Sequence, residues 1–275
     1  MRLWKAHGLG NDYLVWEGDA DVLSAENVKK ICHRNKGFGS DGILEPIHSE
    51  VGDFGVRIWN PDGSIAEKSG NGLRIFSWWL SKKQMRGHSF RIDTTFDQVE
   101  ARVFEKSVQI DMGTPVFDYQ KIPTTRELWA EHFWLDERVK LYTVSMGNPH
   151  CVVFFDREID LDGLEWRKWG RDLECHPLFP NRSNIQFAQI IDAHNIRLRI
   201  WERGAGETDA SGSSSCAVFA VAHRLGIVED MVQAHMPGGV LDLSMKEKHI
   251  YMRGPVSEIG YLELTPSFLS QPHRS

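Results

Sequence analysis

The sequence has no apolar run approaching the ~20 residues that a membrane-spanning helix needs. Its opening residues, Met1-Arg2-Leu3-Trp4-Lys5-Ala6-His7, lack the apolar stretch of a secretory signal. Basic charge is not in surplus: Lys and Arg total 32 against 38 Asp and Glu, and the net charge is −6 at pH 7. The positive field of a general nucleic-acid binder is therefore missing. Only four cysteines occur, Cys32, Cys151, Cys175 and Cys216, with no CxxC pair. That argues against a zinc site and against a disulfide framework. The twelve histidines form no HxH or HxxxH group with nearby acids, so no metal is expected. Gly204-Ala205-Gly206 lacks the GxGxxG spacing and the βαβ frame of a dinucleotide loop. These absences lead to the expectation of a cytoplasmic globular protein with reduced thiols and with neither a membrane nor a nucleic acid as partner.

What is present is enough for a substantial core. The 275 residues are 41% apolar and 25% charged, ordinary values for a folded chain. The length suits two domains of roughly 130 residues each. The ten tryptophans are spread along the chain and read as packing residues.

The chain repeats itself. Val56-Arg57-Ile58-Trp59-Asn60 resembles Leu198-Arg199-Ile200-Trp201-Glu202 at an offset of 142, and Ser69-Gly70 recurs as Ser211-Gly212 at the same offset. Gly10-Asn11 recurs as Gly147-Asn148 at an offset of 137, and Met112-Gly113-Thr114-Pro115-Val116 recurs loosely as Met252-Arg253-Gly254-Pro255-Val256 at 140. Matches in one order at nearly one spacing indicate two homologous halves. In each half an alternating strand (Val56–Ile58, Leu198–Ile200) leads into a Gly-rich polar loop and then a helix. The helices are expected over residues 71–80, ending near Lys82-Lys83, and over 213–225, stopped by Gly226. The second is apolar on nearly every face, as a buried helix is. Further alternation marks strands at 99–103, 108–112, 152–154, 241–243, 250–252 and 260–264. The expected fold is α+β: two pseudo-symmetric homologous domains, each a mainly antiparallel sheet wrapped around a central buried helix. The first spans residues 1–114 and is completed by the C-terminal strand segment 257–275. The second spans 115–256.

Ser69-Gly70-Asn71 and Ser211-Gly212-Ser213 each sit at a helix start. Such an end presents unpaired N–H groups and partial positive charge, which suits a carboxylate. Taken alone, each serine reads as an ordinary N-cap. Its recurrence at the same place in both halves is what draws attention to it.

Asn60-Pro61-Asp62-Gly63-Ser64 followed by Ser69-Gly70-Asn71-Gly72-Leu73-Arg74 resembles the signature of diaminopimelate epimerase. Glu202-Arg203-Gly204-Ala205-Gly206-Glu207-Thr208 through Ser211-Gly212-Ser213 resembles that family's second catalytic loop. His7-Gly8-Leu9-Gly10-Asn11-Asp12-Tyr13, Gly147-Asn148-Pro149-His150 and Asn184 in Arg182-Ser183-Asn184-Ile185 are also similar. The resemblance runs nearly end to end. It implies a pyridoxal-independent isomerase without cofactor, whose site lies in the cleft between two pseudo-symmetric domains. The family converts LL-diaminopimelate to the meso form, ahead of lysine and the cell-wall cross-link. Its chemistry is a two-base proton transfer, one thiolate removing the α-proton and the other thiol supplying one from the opposite face.

This chain departs at the centre of that scheme. Ser69 and Ser211 stand where the family carries its two cysteines. A thiol suits the task because its pKa, ~8.5, falls further at a helix N-terminus. A serine hydroxyl is a far weaker acid, and the sequence identifies no adjacent base. Loss of the proton transfer is therefore expected. Two accounts fit: an engineered double Cys→Ser variant, or a natural paralogue that has lost or changed activity. The intact remainder of both motifs favours the first.

The resemblance assigns the other residues too. Gly70, Asn71, Gly212 and Ser213 would offer backbone N–H groups to the reacting carboxylate. Arg203 suits the distal carboxylate and Glu202 the distal ammonium. Asn11, Asn60, Asn148 and Asn184 occupy substrate-contact positions, although an Asn in a Gly-rich loop also reads as a turn former. His150 and Glu202 are candidate tuners of the two acids, and His150 reads equally as a structural histidine. Two rivals remain: a racemase of another amino acid such as histidine, and a non-catalytic amino-acid-binding paralogue. The family often forms a homodimer through a tyrosine near its last strand, to which Tyr261 is a near neighbour.

Overall fold

A computed structural model describes residues 1–19, 22–84, 88–133 and 136–270. The chain forms two compact units, Met1–Ile110 with Pro255–Ser275, and Asp111–Gly254. Residues 271–275 of the expected C-terminal segment lie outside the described residues.

In the first unit the elements run β1 (Arg2–Gly8), β2 (Asn11–Trp16), α1 (Ala25–Cys32), β3 (Ile43–Ile47), β4 (Phe54–Trp59), α2 (Gly70–Gln84), β5 (Ser89–Asp93), β6 (Gln98–Val103) and β7 (Val108–Asp111). The strand Ser257–Glu263 returns to pair antiparallel with β1. From there the sheet runs β1-β2-β3-β4-β5-β6-β7. The β2–β3 and β4–β5 pairs are parallel, and the others antiparallel. Parallel neighbours need a crossover, and α1 and α2 supply the two. Alternation along β2 sends Leu14 and Trp16 into a core with Val28 and Ile31 of α1. Tyr13 and Val15 are thereby turned to the other face, towards α2.

The second unit has the same plan: β8 (Trp129–Phe133), β9 (Asp136–Ser145), β10 (Pro149–Phe155), α3 (Trp166–Glu174), β11 (Asn184–Asp192), β12 (Asn195–Glu202), β13 (Gly206–Thr208), α4 (Gly212–Arg224), β14 (Met231–Met236), β15 (Gly239–Lys246) and β16 (His249–Gly254). Here β10–β11 and β12–β14 are the parallel pairs, with α3 and α4 as crossovers, and the remaining pairs are antiparallel. Apart from β13, which pairs antiparallel with β12 and corresponds in the first unit to the single bridge Trp59–Ile65, order and direction match the first unit strand for strand. Cys151, Val153 and Phe155 pack with Trp166 and Leu173 of α3, which leaves His150 and Val152 facing α4.

Every residue of α4 from Gly212 to Ala222 is buried, because strands β9 to β12 and β14 to β16 all touch it. Its end is sharp. Gly226 takes φ 68°, Gly226 N–H donates to the His223 carbonyl at 2.9 Å, and Ile227 N–H donates to that of Ala222 at 3.1 Å. That is a Schellman closure. In α2 the first turns are buried, while Trp78 and Trp79 are half-exposed. No helix among the described residues is long and apolar enough to cross a membrane.

Candidate active site

The loop between β4 and α2 begins with a turn built by Asn60. Its N–H donates to the Ser64 carbonyl at 2.8 Å, and its Nδ2 donates to Ser64 Oγ at 2.9 Å. The chain then reaches Ser69, which caps α2. Ser69 Oγ accepts the Gly72 N–H at 3.0 Å, and the Ser69 carbonyl accepts that of Leu73 at 2.9 Å. Gly70 and Asn71 follow as buried residues of the first turn. A second donor also reaches Ser69: Tyr13 Oη donates to Ser69 Oγ at 3.0 Å. An ionisable group that the sequence does not identify therefore adjoins Ser69, and in this contact it acts as the donor. In the sequence Tyr13 stands only within the loop signature His7–Tyr13, with no role of its own.

Asn11 and Asn71 form a fixed chain beside this helix start. Arg74 Nη2 donates to Asn71 Oδ1 at 2.6 Å, which turns the Asn71 amide nitrogen towards Asn11 Oδ1 at 3.1 Å. Asn11 Nδ2 in turn donates to Asp41 Oδ2 at 2.8 Å. The charged partners at the two ends set both amide orientations.

In the second unit Ser211 caps α4 in the same manner, but more loosely. Ser214 N–H reaches its Oγ at 3.5 Å, and the Ser211 carbonyl accepts the Ser215 N–H at 3.1 Å. Gly212 and Ser213 are buried in the first turn. Behind them runs a buried polar chain. Gln186 Nε2 donates to Ser214 Oγ at 3.0 Å and lies 3.0 Å from His150 Nδ1, while His150 Nε2 lies 2.8 Å from Asn148 Oδ1. With Gln186 donating, His150 Nδ1 is the acceptor and Nε2 carries the proton. Burial, aided by the Arg203 charge, pushes the His150 pKa down to about 3. The ring is therefore neutral at physiological pH and reaches Ser211 as a dipole through Gln186 and Ser214.

The Glu202–Gly206 turn is held from below. Asn184 Oδ1 accepts the Arg203 N–H at 3.0 Å, and Asn184 Nδ2 donates to the Pro149 carbonyl at 2.9 Å. Glu174 receives the Gly204 N–H at 2.8 Å and Trp201 Nε1 at 2.8 Å. Backbone thus occupies the Asn184 carbonyl oxygen and one of its N–H groups.

Within the first unit the structure brings Ser69, Gly70, Asn71 and Asn11 together at one helix start, and Asn60 shapes the approach to it. Within the second it joins Asn148, His150, Asn184 and the Arg203 backbone, with Ser211 at the end of the Gln186–Ser214 link. The motifs assign no role to Tyr13, Gln186, Ser214 or Glu174. The available signal for Gln186 was a polar residue within the apolar run Ile185–Ala188. Among the described residues, no group of three or more His, Cys, Asp or Glu is placed to hold a metal.

One family pattern, diaminopimelate epimerase, matches residues 3–117 and 142–259. A protein of Nostoc sp. named diaminopimelate epimerase 2 is 44% identical over 277 residues, covering 96% of this chain and 96% of the relative. The diaminopimelate epimerase of Pelotomaculum thermopropionicum is 35% identical over 276 residues, covering 94% and 97%. Among solved structures, a phenazine biosynthesis protein of the PhzF family from Bacillus anthracis superposes with a TM-score of 0.70 at 14% identity, over 96% of this chain and 99% of the other. A hydroxyproline epimerase from Agrobacterium vitis also superposes with a TM-score of 0.70 at 14% identity, over 95% and 91%. At such identity these two structures speak for the fold alone.

Proposed function

The chain belongs to the diaminopimelate epimerase family, isomerases that interconvert LL- and meso-diaminopimelate, and from that premise we propose how its own residues serve the reaction. Ser69 and Ser211 take the two proton-transfer positions. The observation that carries this reading is their equivalence: each caps the central helix of its unit with its side-chain oxygen, at the same step of a repeated fold. Each helix start offers backbone N–H groups and partial positive charge to the carboxylate next to the reacting carbon. That charge stabilises the carbanion formed when the α-proton leaves.

Asn11, Asn71 and Asn148 present amides whose orientation is set by Asp41, Arg74 and His150. Arg203 takes the distal carboxylate and Glu202 the distal ammonium, on a turn held by Asn184 and Glu174. His150 serves as a neutral strut beneath the second helix start. No cofactor enters the scheme. The same reading carries a cytoplasmic setting and a homodimer through the strand Ser257–Glu263, where Tyr261 is exposed beneath the Arg2 guanidinium.

The serines limit what the chain can do. With hydroxyls in place of both thiols, it binds diaminopimelate without inverting it at a useful rate, as a double Cys→Ser variant would. Calorimetry with the LL and meso forms, beside a coupled turnover assay, tests this. Binding without turnover is expected. Turnover close to that of a Cys/Cys version would overturn the mechanism.

A further inference from the structure

The two serines are equivalent in the repeat, yet their surroundings differ. The offset of 137 that relates Asn11 to Asn148 also relates Tyr13 to His150. Sheet register agrees, since Leu14 pairs with Ile43 and Cys151 with Ile185. At the offset of 142, Leu44 corresponds to Gln186 and Gly72 to Ser214. So each unit aims a ring from its second repeated strand at its helix start. In the second unit Gln186 and Ser214 stand between that ring and the serine. In the first, the corresponding Leu44 and Gly72 offer no polar side-chain atom, and the ring touches the serine itself at 3.0 Å.

Two glycines make that contact possible. A Cβ at position 42 would stand 2.6 Å from Tyr13 Cε1 and 2.4 Å from the Trp59 carbonyl oxygen, so any side chain there would displace the ring. A Cβ at position 72 would stand 3.1 Å from Ser69 Oγ and 3.0 Å from Leu44 Cδ2, crowding the hydroxyl.

We propose that Tyr13 positions and reprotonates Ser69, so that the first half of this chain keeps a working proton donor and acceptor where the family has a cysteine, while the second half does not. This rests on the function proposed above. Ser69 Oγ accepts the Gly72 N–H and the Tyr13 O–H, which engages both of its lone pairs. Its own hydrogen is directed elsewhere, towards a ligand. In the acid direction the Ser69 O–H bond breaks, and a C–H bond forms from the electron pair of the α-carbanion. The Tyr13 O–H bond breaks as its proton passes to Ser69 Oγ, leaving a tyrosinate. In the base direction each proton retraces its path, and the electron pair stays on carbon. The net acid is then a phenol, whose ordinary pKa of ~10 lies about 1.5 above that of a thiol. A lone aliphatic hydroxyl is much weaker, nearer the ~15.7 of water. The N–H of Gly72 at the helix start favours the negative oxygen during the transfer. Among the described residues, Ser211 Oγ receives only the 3.5 Å contact from Ser214 N–H, and its strand-borne ring is two residues removed.

The test is deuterium wash-in at the α-carbons of LL- and meso-diaminopimelate at saturating ligand, read by mass spectrometry. It compares the chain as written with Tyr13→Phe, Ser69→Cys and the combined variant. The unaltered chain is expected to exchange one stereochemical centre without inverting it. Tyr13→Phe should lower that rate by about 100-fold, the scale of a general acid–base contribution, while the calorimetric affinity moves by less than about threefold. With Ser69→Cys the thiol needs no relay, and the same substitution should cost less than about threefold. A Tyr13 that only supports the fold would cost both backgrounds alike, and that result would overturn the proposal. So would an unchanged rate in Tyr13→Phe, or no exchange by an unaltered chain that binds the ligand. If a Ser69→Cys/Ser211→Cys chain neither binds nor exchanges diaminopimelate, the failure lies instead with the substrate reading.

Discussion

Asn184 carries the backbone of Arg203: its Oδ1 accepts the Arg203 N–H at 3.0 Å, and its Nδ2 holds the Pro149 carbonyl at 2.9 Å. One buried amide thus joins the start of β10 to the turn that presents Glu202 and Arg203. Asn184→Ala should remove both ties, at a cost of about 1–3 kcal/mol. The loss should be visible in the urea midpoint of the ligand-free chain. If Asn184 only contacted ligand, the ligand-free midpoint would not move.

His150 predicts a specific pH dependence. Its folded pKa, about 3, lies below the 6.5 of a free histidine, so as pH falls the unfolded chain takes the proton first. The stabilisation is present above pH ~6.5 and is lost progressively as pH falls from there towards 3. Between pH 6.5 and 5 the loss should be about 2 kcal/mol, to order of magnitude. Urea unfolding at pH 7.5 and at pH 5 checks it, with His150→Gln as the comparison. The variant should lose less stability between the two pH values by about that amount. Equal losses in both chains would show that His150 is not a buried neutral ring.

Much of this fold could be read in the sequence because the repeat doubled each signal. The 142-residue offset located β4 with α2 and β12 with α4, since an alternating strand, a Gly-rich loop and an apolar helix recur in step. The other two crossover helices, α1 and α3, escaped notice, α3 for a local reason. In α3, Trp166-Arg167-Lys168-Trp169-Gly170-Arg171-Asp172-Leu173-Glu174 places a glycine in mid-helix, which reads as a break. The structure explains it by the close packing of α3 on β12, since a Cβ on Gly170 would stand 2.8 Å from Trp201 Cβ. The site was half legible. Ser69, Ser211 and the asparagines lie in motifs that are continuous in sequence. Tyr13 and Gln186 reach their helix starts across a sheet, and only register and face place them there. Glu174 is hidden in the same way, its task being to hold a turn that lies far along the chain.

Arg203 should discriminate by ligand. Arg203→Met should cost more affinity for diaminopimelate than for an amino acid without a second carboxylate. A carboxylate left in the pocket without its cation carries a penalty of about 3–5 kcal/mol. Calorimetry with both ligands reads the difference directly. An equal loss for both would remove Arg203 from the distal end.

The central claim is that Ser69 and Ser211 sit at the two proton-transfer positions of an otherwise intact epimerase. The most direct measurement is the rate of conversion of LL- to meso-diaminopimelate by the Ser69→Cys/Ser211→Cys chain, beside the chain as written, at equal saturation with ligand. With both thiols present, inversion should rise by at least about 1,000-fold, within the range set by positioned general acids and bases. If the two chains bind diaminopimelate alike and the double restoration leaves inversion where it was, the assignment of Ser69 and Ser211 is wrong.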